Sequence, residues 1–171
     1  MSSASSRPGL PPEVEVLAIG CDHAGYHLKT EVVALLREMG VPVEDLGCAG
    51  PDESVHYPVY AKKVVDALRA RPGRRGILIC GTGLGMSVVA NRFPGIRATL
   101  CHDLYTAEMS RRHNDANLLV LGGRVVDPAL ARQIVRVWLT TPFEGGRHAE
   151  RLELLERLAA EAREPASETE P

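Results

Sequence analysis

The chain has 171 residues, 25% of them charged, and a formal net charge of −2. That length fits one domain with a single sizeable core, and the near-neutral balance, with Lys and Arg scattered in short pairs, gives no electrostatic case for nucleic acid. No apolar run approaches the length of a membrane span, and the start, Met1-Ser2-Ser3-Ala4-Ser5-Ser6-Arg7-Pro8, lacks the charged-then-apolar order of a signal peptide.

In chain order, apolar runs alternate with amphipathic ones. Val14–Gly20 reads as a strand, Leu28–Met39 as a helix ended by Gly40, and Val43–Leu46 as a short strand. Tyr57–Ala70 follows as a helix closed by Arg71-Pro72-Gly73, then the strand Gly76–Cys80 and a helix over Met86–Asn91. Ile96–Cys101 is a strand, Leu104–Arg112 a helix, Leu118–Leu121 a strand, and Pro128–Leu139 a helix opened by Asp127-Pro128. A last helix runs over Arg147–Ala162. This alternation predicts an α/β fold, a single doubly wound, Rossmann-like domain over residues 13–162, with about five parallel strands and helices on both faces. The Ser/Pro/Glu-rich ends, 1–12 and 163–171, are expected to be disordered tails. Cys21, Cys48, Cys80 and Cys101 contain no CxxC pair, and three sit in or next to predicted strands, which points to reduced thiols and a cytoplasmic setting.

Cys80-Gly81-Thr82-Gly83-Leu84-Gly85 carries the strongest chemical signal. A buried strand delivers a thiol to its C-terminal edge, and the glycines let the backbone turn tightly and approach a ligand. The spacing is GxGxG, not the GxGxxG of dinucleotide folds, and no Gly-Lys-Ser/Thr follows as in a P-loop. A strand-end Cys is often only a small buried hydrophobe. Asp22-His23, in the loop after the first strand, lies where open α/β sheets bind ligands, though Asp22 can equally cap the next helix and His23 sit idle in the loop. His113-Asn114 ends the helix after the fourth strand, and Cys80, Asp22 and His113 are expected to converge at one sheet edge; a simple helix C-cap is the alternative for the His-Asn pair. Arg147 and Arg151 are four apart on one helical face. Cations in a first helical turn oppose the dipole, which an anion bound between them would relieve; two solvated arginines remain the alternative. Arg124, after Gly122-Gly123, is another candidate anion ligand, and Leu152, Leu155 and Leu158 read as packing residues. No zinc or calcium spacing and no GxSxG elbow is present, so neither metal nor serine hydrolase is expected.

Together these residues resemble the type B ribose-5-phosphate isomerases, in the wider family that includes the galactose-6-phosphate isomerase subunits. The matching stretches are Gly20-Cys21-Asp22-His23-Ala24-Gly25, Ile79 through Gly85, Ala90-Asn91, Gly95-Ile96-Arg97-Ala98, Arg112 through Asn117, Gly123-Arg124-Val125-Val126, and Gly145-Gly146-Arg147-His148 with Arg151. They span the chain between its tails in family order. The resemblance implies a cofactor-independent, metal-free isomerase that interconverts D-ribose 5-phosphate and D-ribulose 5-phosphate through an enediolate. By the same resemblance Cys80 is the base that moves the proton between C1 and C2; another branch uses a Glu a few residues on, where Met86 and Ser87 stand here. Gly81, Gly83 and Gly85 offer N–H groups to the oxyanion, and Thr82 moves protons between O1 and O2. His113, assisted by Asp22, opens the sugar ring. His23, Arg147 and Arg151 bind phosphate, and Asn114 and Arg124 hold substrate. The family implies a homodimer or homotetramer with sites shared between subunits. Allose 6-phosphate, galactose 6-phosphate or a tetrose phosphate are alternative substrates, and a non-catalytic phosphosugar-binding module is the competing class.

Overall fold

The computed structural model describes residues 16–163. The expected tails at 1–12 and 163–171 lie outside these, apart from Arg163, which closes the turn after the last helix. The elements are β1 (Leu17–Cys21), α1 (Tyr26–Glu38), β2 (Val43–Asp45), α2 (Tyr57–Arg69), β3 (Gly76–Cys80), α3 (Leu84–Ala90), β4 (Ala98–Leu100), α4 (Leu104–Arg112), β5 (Leu118–Gly122), α5 (Pro128–Thr140) and α6 (Arg147–Glu161). The five strands form one parallel sheet in the order β2-β1-β3-β5-β4.

β1, β3 and β5 are buried at every residue, which is why they read as unbroken apolar runs rather than alternating ones. Their side chains feed two cores in strict alternation. Leu17, Ile19, Ile77, Ile79, Leu119 and Leu121 join α1, α4 and α5 on one face. Ala18, Leu78, Cys80, Leu118 and Val120 join α2 and α3 on the other. The helices thus divide between the faces, as right-handed crossovers in this strand order require. Trp138 is wholly buried in the first core, with the guanidinium groups of Arg75 and Arg111 5.7 and 5.8 Å from its ring.

The boundaries differ from the sequence expectation for identifiable reasons. The α1 helix begins at Tyr26, two residues early, because a 3₁₀ turn over His23–Gly25 runs directly into it. Likewise α3 begins at Leu84, since Gly83 adopts φ +81° and caps it from the left-handed region. The β4 strand is shorter than expected: the Ile96 N–H turns back to Phe93, and the Arg97 N–H goes to the Asn117 side chain rather than into the sheet. Helix α6 buries only His148, and Leu155 and Leu158 are 50% and 53% exposed. The expectation of packing thus fails for Leu155 and Leu158 among the described residues, while Leu152 is half-buried.

Candidate active site

At the C-terminal edge of the sheet, Cys80 ends β3 with its side chain buried against α3. Its Sγ accepts a hydrogen bond from the Gly83 N–H at 3.1 Å, the contact an ionised sulfur would retain. A Cβ on Gly83 would meet Leu100 Cδ1 at 2.3 Å and the Leu121 carbonyl at 3.2 Å, so the loop requires glycine there for space as well as for φ. Gly85 lies beneath the Tyr57 ring, and the exposed Thr82 accepts from the Leu84 N–H at 3.4 Å. Gly81 is joined to the loop after β5, its carbonyl accepting from the Arg124 N–H at 2.9 Å, while the Cys80 carbonyl accepts from Gly123 at 2.7 Å. Those two bonds seat the exposed Arg124 beside Gly81.

The loop after β1 completes this edge. Asp22 is buried and its Oδ1 accepts from the Gly25 N–H at 3.0 Å, so the helix-cap reading of Asp22 holds. Its own N–H donates to the Ile79 carbonyl, one residue from Cys80. His23 Nδ1 accepts from the Val55 N–H at 3.2 Å, which fixes its ring. Asp22, His23, Cys80, the glycine loop, Thr82 and Arg124 therefore do converge.

His113, Asn114, Arg147 and Arg151 do not join them. Helix α4 leaves the C-terminal end of β4 and runs back across the sheet, so its last turn reaches the N-terminal edge. Leu118, five residues after His113, pairs with Gly76 at the start of β3. Over a five-residue strand rising about 3.3 Å per residue, the two edges lie roughly 13 Å or more apart. The expected convergence of His113 with Cys80 within one chain is thus corrected: a residue at a helix C-terminus sits at the opposite edge from the strand end that feeds the helix.

This second cluster is built mostly from side chains. Asp115, at φ +43°, accepts from both Arg97 and the buried Arg111, each at 2.9 Å, and fixes the turn that carries His113 and Asn114. The Asn114 carbonyl also accepts from Arg97 Nε at 3.0 Å. The His113 ring stacks on that of His148, centroids 4.1 Å apart and planes 6° from parallel. Glu144 Oε2 is 3.7 Å from His113 Nε2 and 3.5 Å from His148 Nε2. Arg112 holds Glu144 through its other oxygen, and also pairs with Glu108 at 2.8 Å. This guanidinium keeps the Glu144 carboxyl below its usual range. Burial, then the charges of His113 and Arg147, push His148 down. Arg147 and Arg151 are exposed on α6 and make no hydrogen bond or ion pair among the described residues.

His113, Glu144 and His148 are the one group of possible metal donors found among the described residues, their atoms all within 4.8 Å. The rings, however, are nearly parallel, so their in-plane lone pairs run side by side instead of meeting at a point, and the trio does not form a metal centre as it stands. Sequence reasoning missed Glu144 and His148 as functional candidates. Their i,i+4 spacing beside two arginines was the available signal.

Burial pushes Cys21 up to about 12, and it also pushes Cys101 up, so neither competes with Cys80 as a reactive thiol. All four cysteines are free, and no helix among the described residues is long and apolar enough to cross a membrane.

Residues 17–155 match the model of the Ribose/Galactose Isomerase family. The chain is 50% identical over 139 residues to ribose-5-phosphate isomerase B of Escherichia coli, covering 81% of this chain and 93% of that protein. It is 42% identical over 137 residues to a D-erythrulose-4-phosphate isomerase of Pectobacterium atrosepticum, covering 80% of this chain and 90% of that one. Among solved structures, ribose-5-phosphate isomerase B of Clostridium thermocellum superposes with a TM-score of 0.83 at 48% identity, over 86% of this chain and 99% of the other.

Proposed function

This chain belongs to the ribose/galactose isomerase family, and from that premise we propose that it interconverts D-ribose 5-phosphate and D-ribulose 5-phosphate without a metal. His113, with Asp22, moves the protons that open the furanose ring. Cys80, as thiolate, takes the proton from C2 of the open aldose and returns it to C1. In the enediolate between, N–H groups of the Gly81–Gly85 loop face the oxyanion and Thr82 carries a proton between O1 and O2. Arg147, Arg151 and His23 hold the phosphate, and Asn114 and Arg124 hold the sugar.

One observation carries this reading: each edge of the sheet holds half of such a site. The Cys80 edge has a held thiol and a glycine loop, and the His113 edge has imidazoles with two arginines that are unpaired among the described residues. Two copies related by a two-fold axis would join the halves twice. We therefore read the protein as a homodimer, alone or paired into a tetramer, with each site shared. The exposed Leu84 and Val88 beside the loop, and Leu155 and Leu158 on α6, give such a contact apolar surface to bury.

A relative named for a four-carbon substrate favours a second reading, the same chemistry on a tetrose phosphate. A tetrose phosphate closes no stable ring through its phosphorylated end and needs no ring-opening group, so His113 weighs toward the pentose. Turnover of four-, five- and six-carbon aldose phosphates, each with and without chelator, tests all of this. Preference for ribose 5-phosphate, unchanged by chelator, is expected. Preference for another sugar overturns the substrate, and loss on chelation overturns the metal-free mechanism.

A further inference from the structure

Two imidazoles and one carboxylate oxygen meet at the N-terminal edge in an arrangement the mechanism above does not require. His148 is 5% exposed, and its Nε2 has no hydrogen-bond partner among the described residues. A Phe or Leu in the same place would leave no buried polar atom unsatisfied. The nearest candidate partner is Glu144 Oε2 at 3.5 Å, just out of bonding range and facing His113 Nε2 at 3.7 Å as well. Glu144 does not stray: Arg112 holds its Oε1, and the Glu144 N–H donates to the Arg112 carbonyl at 3.0 Å. One pinned carboxylate thus has a single oxygen for two stacked rings.

We infer that Glu144 and His148 are positioning residues for His113: the stacked His148 ring fixes the plane of His113, and Glu144 Oε2 is shared between the two Nε2 atoms so that it follows the proton His113 gains and loses. The inference rests on the reading of His113 as the group that opens the ring. Rings stacked 4.1 Å apart do not both carry charge comfortably, and the two are unequal. His148 is buried beside Arg147 and Arg151, and burial and the nearby charges push it toward the neutral form, whereas the His113 side chain is 36% exposed and open to a substrate oxygen. When His113 is neutral, Glu144 accepts from His148. When His113 is protonated, Oε2 of the pinned carboxylate accepts from it instead, and the ring is held by stack and carboxylate together. The other charges facing the cluster are Arg112, with Glu108 behind it, and the Arg111–Asp115–Arg97 group from the turn after α4. In a shared site, Asp22, His23 and Arg124 of the second copy would join them.

The two positioning residues act on His113 in opposite directions, which no purely structural role would do. Glu144→Gln removes the charge that favours protonated His113, so its titration midpoint should fall by roughly half a unit or more. His148→Phe keeps a flat ring in the stack but frees Glu144 to serve His113 alone, so the midpoint should rise. Imidazole NMR titration of His113 in the full-length protein reads both shifts without reference to activity. The limb of the kcat–pH profile that reports His113, measured with ribose 5-phosphate, should move with them. His148→Phe should also keep more turnover than His148→Ala, with KM little changed in either. Unmoved midpoints in folded Glu144→Gln and His148→Phe overturn the inference, and those two decide it even if His148→Ala unfolds. Midpoints that move as expected, with ribose 5-phosphate and the acyclic erythrose 4-phosphate losing turnover equally, leave the positioning standing and overturn His113 as the ring opener.

Discussion

At the C-terminal edge of the sheet the polar groups are held by backbone: Gly83 N–H on Cys80 Sγ, Gly25 N–H on Asp22, and Val55 N–H on His23. At the N-terminal edge they are held by one another, as Arg112 holds Glu144, Glu144 faces two imidazoles, and Arg97 and Arg111 share Asp115. Backbone amides carry no titratable proton and stay put when a neighbouring side chain changes. A cluster of side chains responds to every charge in it. An oxyanion cradle needs the first kind of support, because its geometry must precede the charge it meets. A group that takes and gives protons to ring oxygens is served by the second.

The largest effect should come from the backbone-held edge. Cys80→Ser replaces the thiol with a hydroxyl that hardly ionises, while the Gly83 N–H remains to bind it. Turnover should fall by at least the ~10²–10⁴-fold typical of a general base, with KM nearly unchanged. Steady-state kinetics on ribose 5-phosphate checks this, and near-normal kcat would remove Cys80 from the chemistry.

At the other edge the loss should appear in binding. Arg147→Ala and Arg151→Ala each remove a charge-assisted hydrogen bond to phosphate worth about 1.5–3 kcal/mol, so KM should rise roughly tenfold to a hundredfold. Inhibition by inorganic phosphate should weaken in step. The melting temperature should barely move, since neither guanidinium is paired among the described residues. Unchanged kinetics with a large drop in melting temperature would make them structural.

Joining the two edges is the sharper test. Cys80→Ser and His113→Ala dimers should each be nearly inactive, yet mixed dimers would hold one doubly damaged site and one intact site. With random pairing half the dimers are mixed, so roughly a quarter of wild-type activity should return on co-refolding. Each variant refolded alone is the control. Verified mixed dimers without activity would mean that the two edges do not meet across a subunit contact.

The unequal support of the edges also explains what the sequence could tell. β1, β3 and β5 were legible because burial on both faces leaves only apolar residues, and Asp127-Pro128 marked the start of α5, where the Asp127 side chain caps the helix. The Cys80 loop was legible because backbone support leaves glycines in the sequence. His113 was recognisable by type but misplaced, since chain order says which strand feeds a helix and not how far the helix carries its last residue. Glu144 and His148 left a weaker mark. Their roles depend on a side-chain contact between the start of α6 and the end of α4, 35 positions apart for the two histidines, and no local pattern encodes that.

The smallest expected effect is a pH slope in stability from His148 at the N-terminal edge. Folding pushes His148 below its ordinary value near 6.5, so in the window just under 6.5 the unfolded chain binds a proton that the folded chain refuses. Stability is therefore full above about 6.5, declines as pH falls toward the lowered folded value, and declines no further below it on this group's account. Glu144, held down by Arg112, acts in the same direction but only below about 4.5, where its unfolded form begins to gain a proton. Denaturant unfolding of wild type and His148→Phe at close pH steps between 7 and 5 should show the decline in the first and a flatter line in the second. Parallel lines for wild type and His148→Phe would mean that the buried imidazole takes up its proton without cost, and that the two edges differ in their bonding but not in their response to charge.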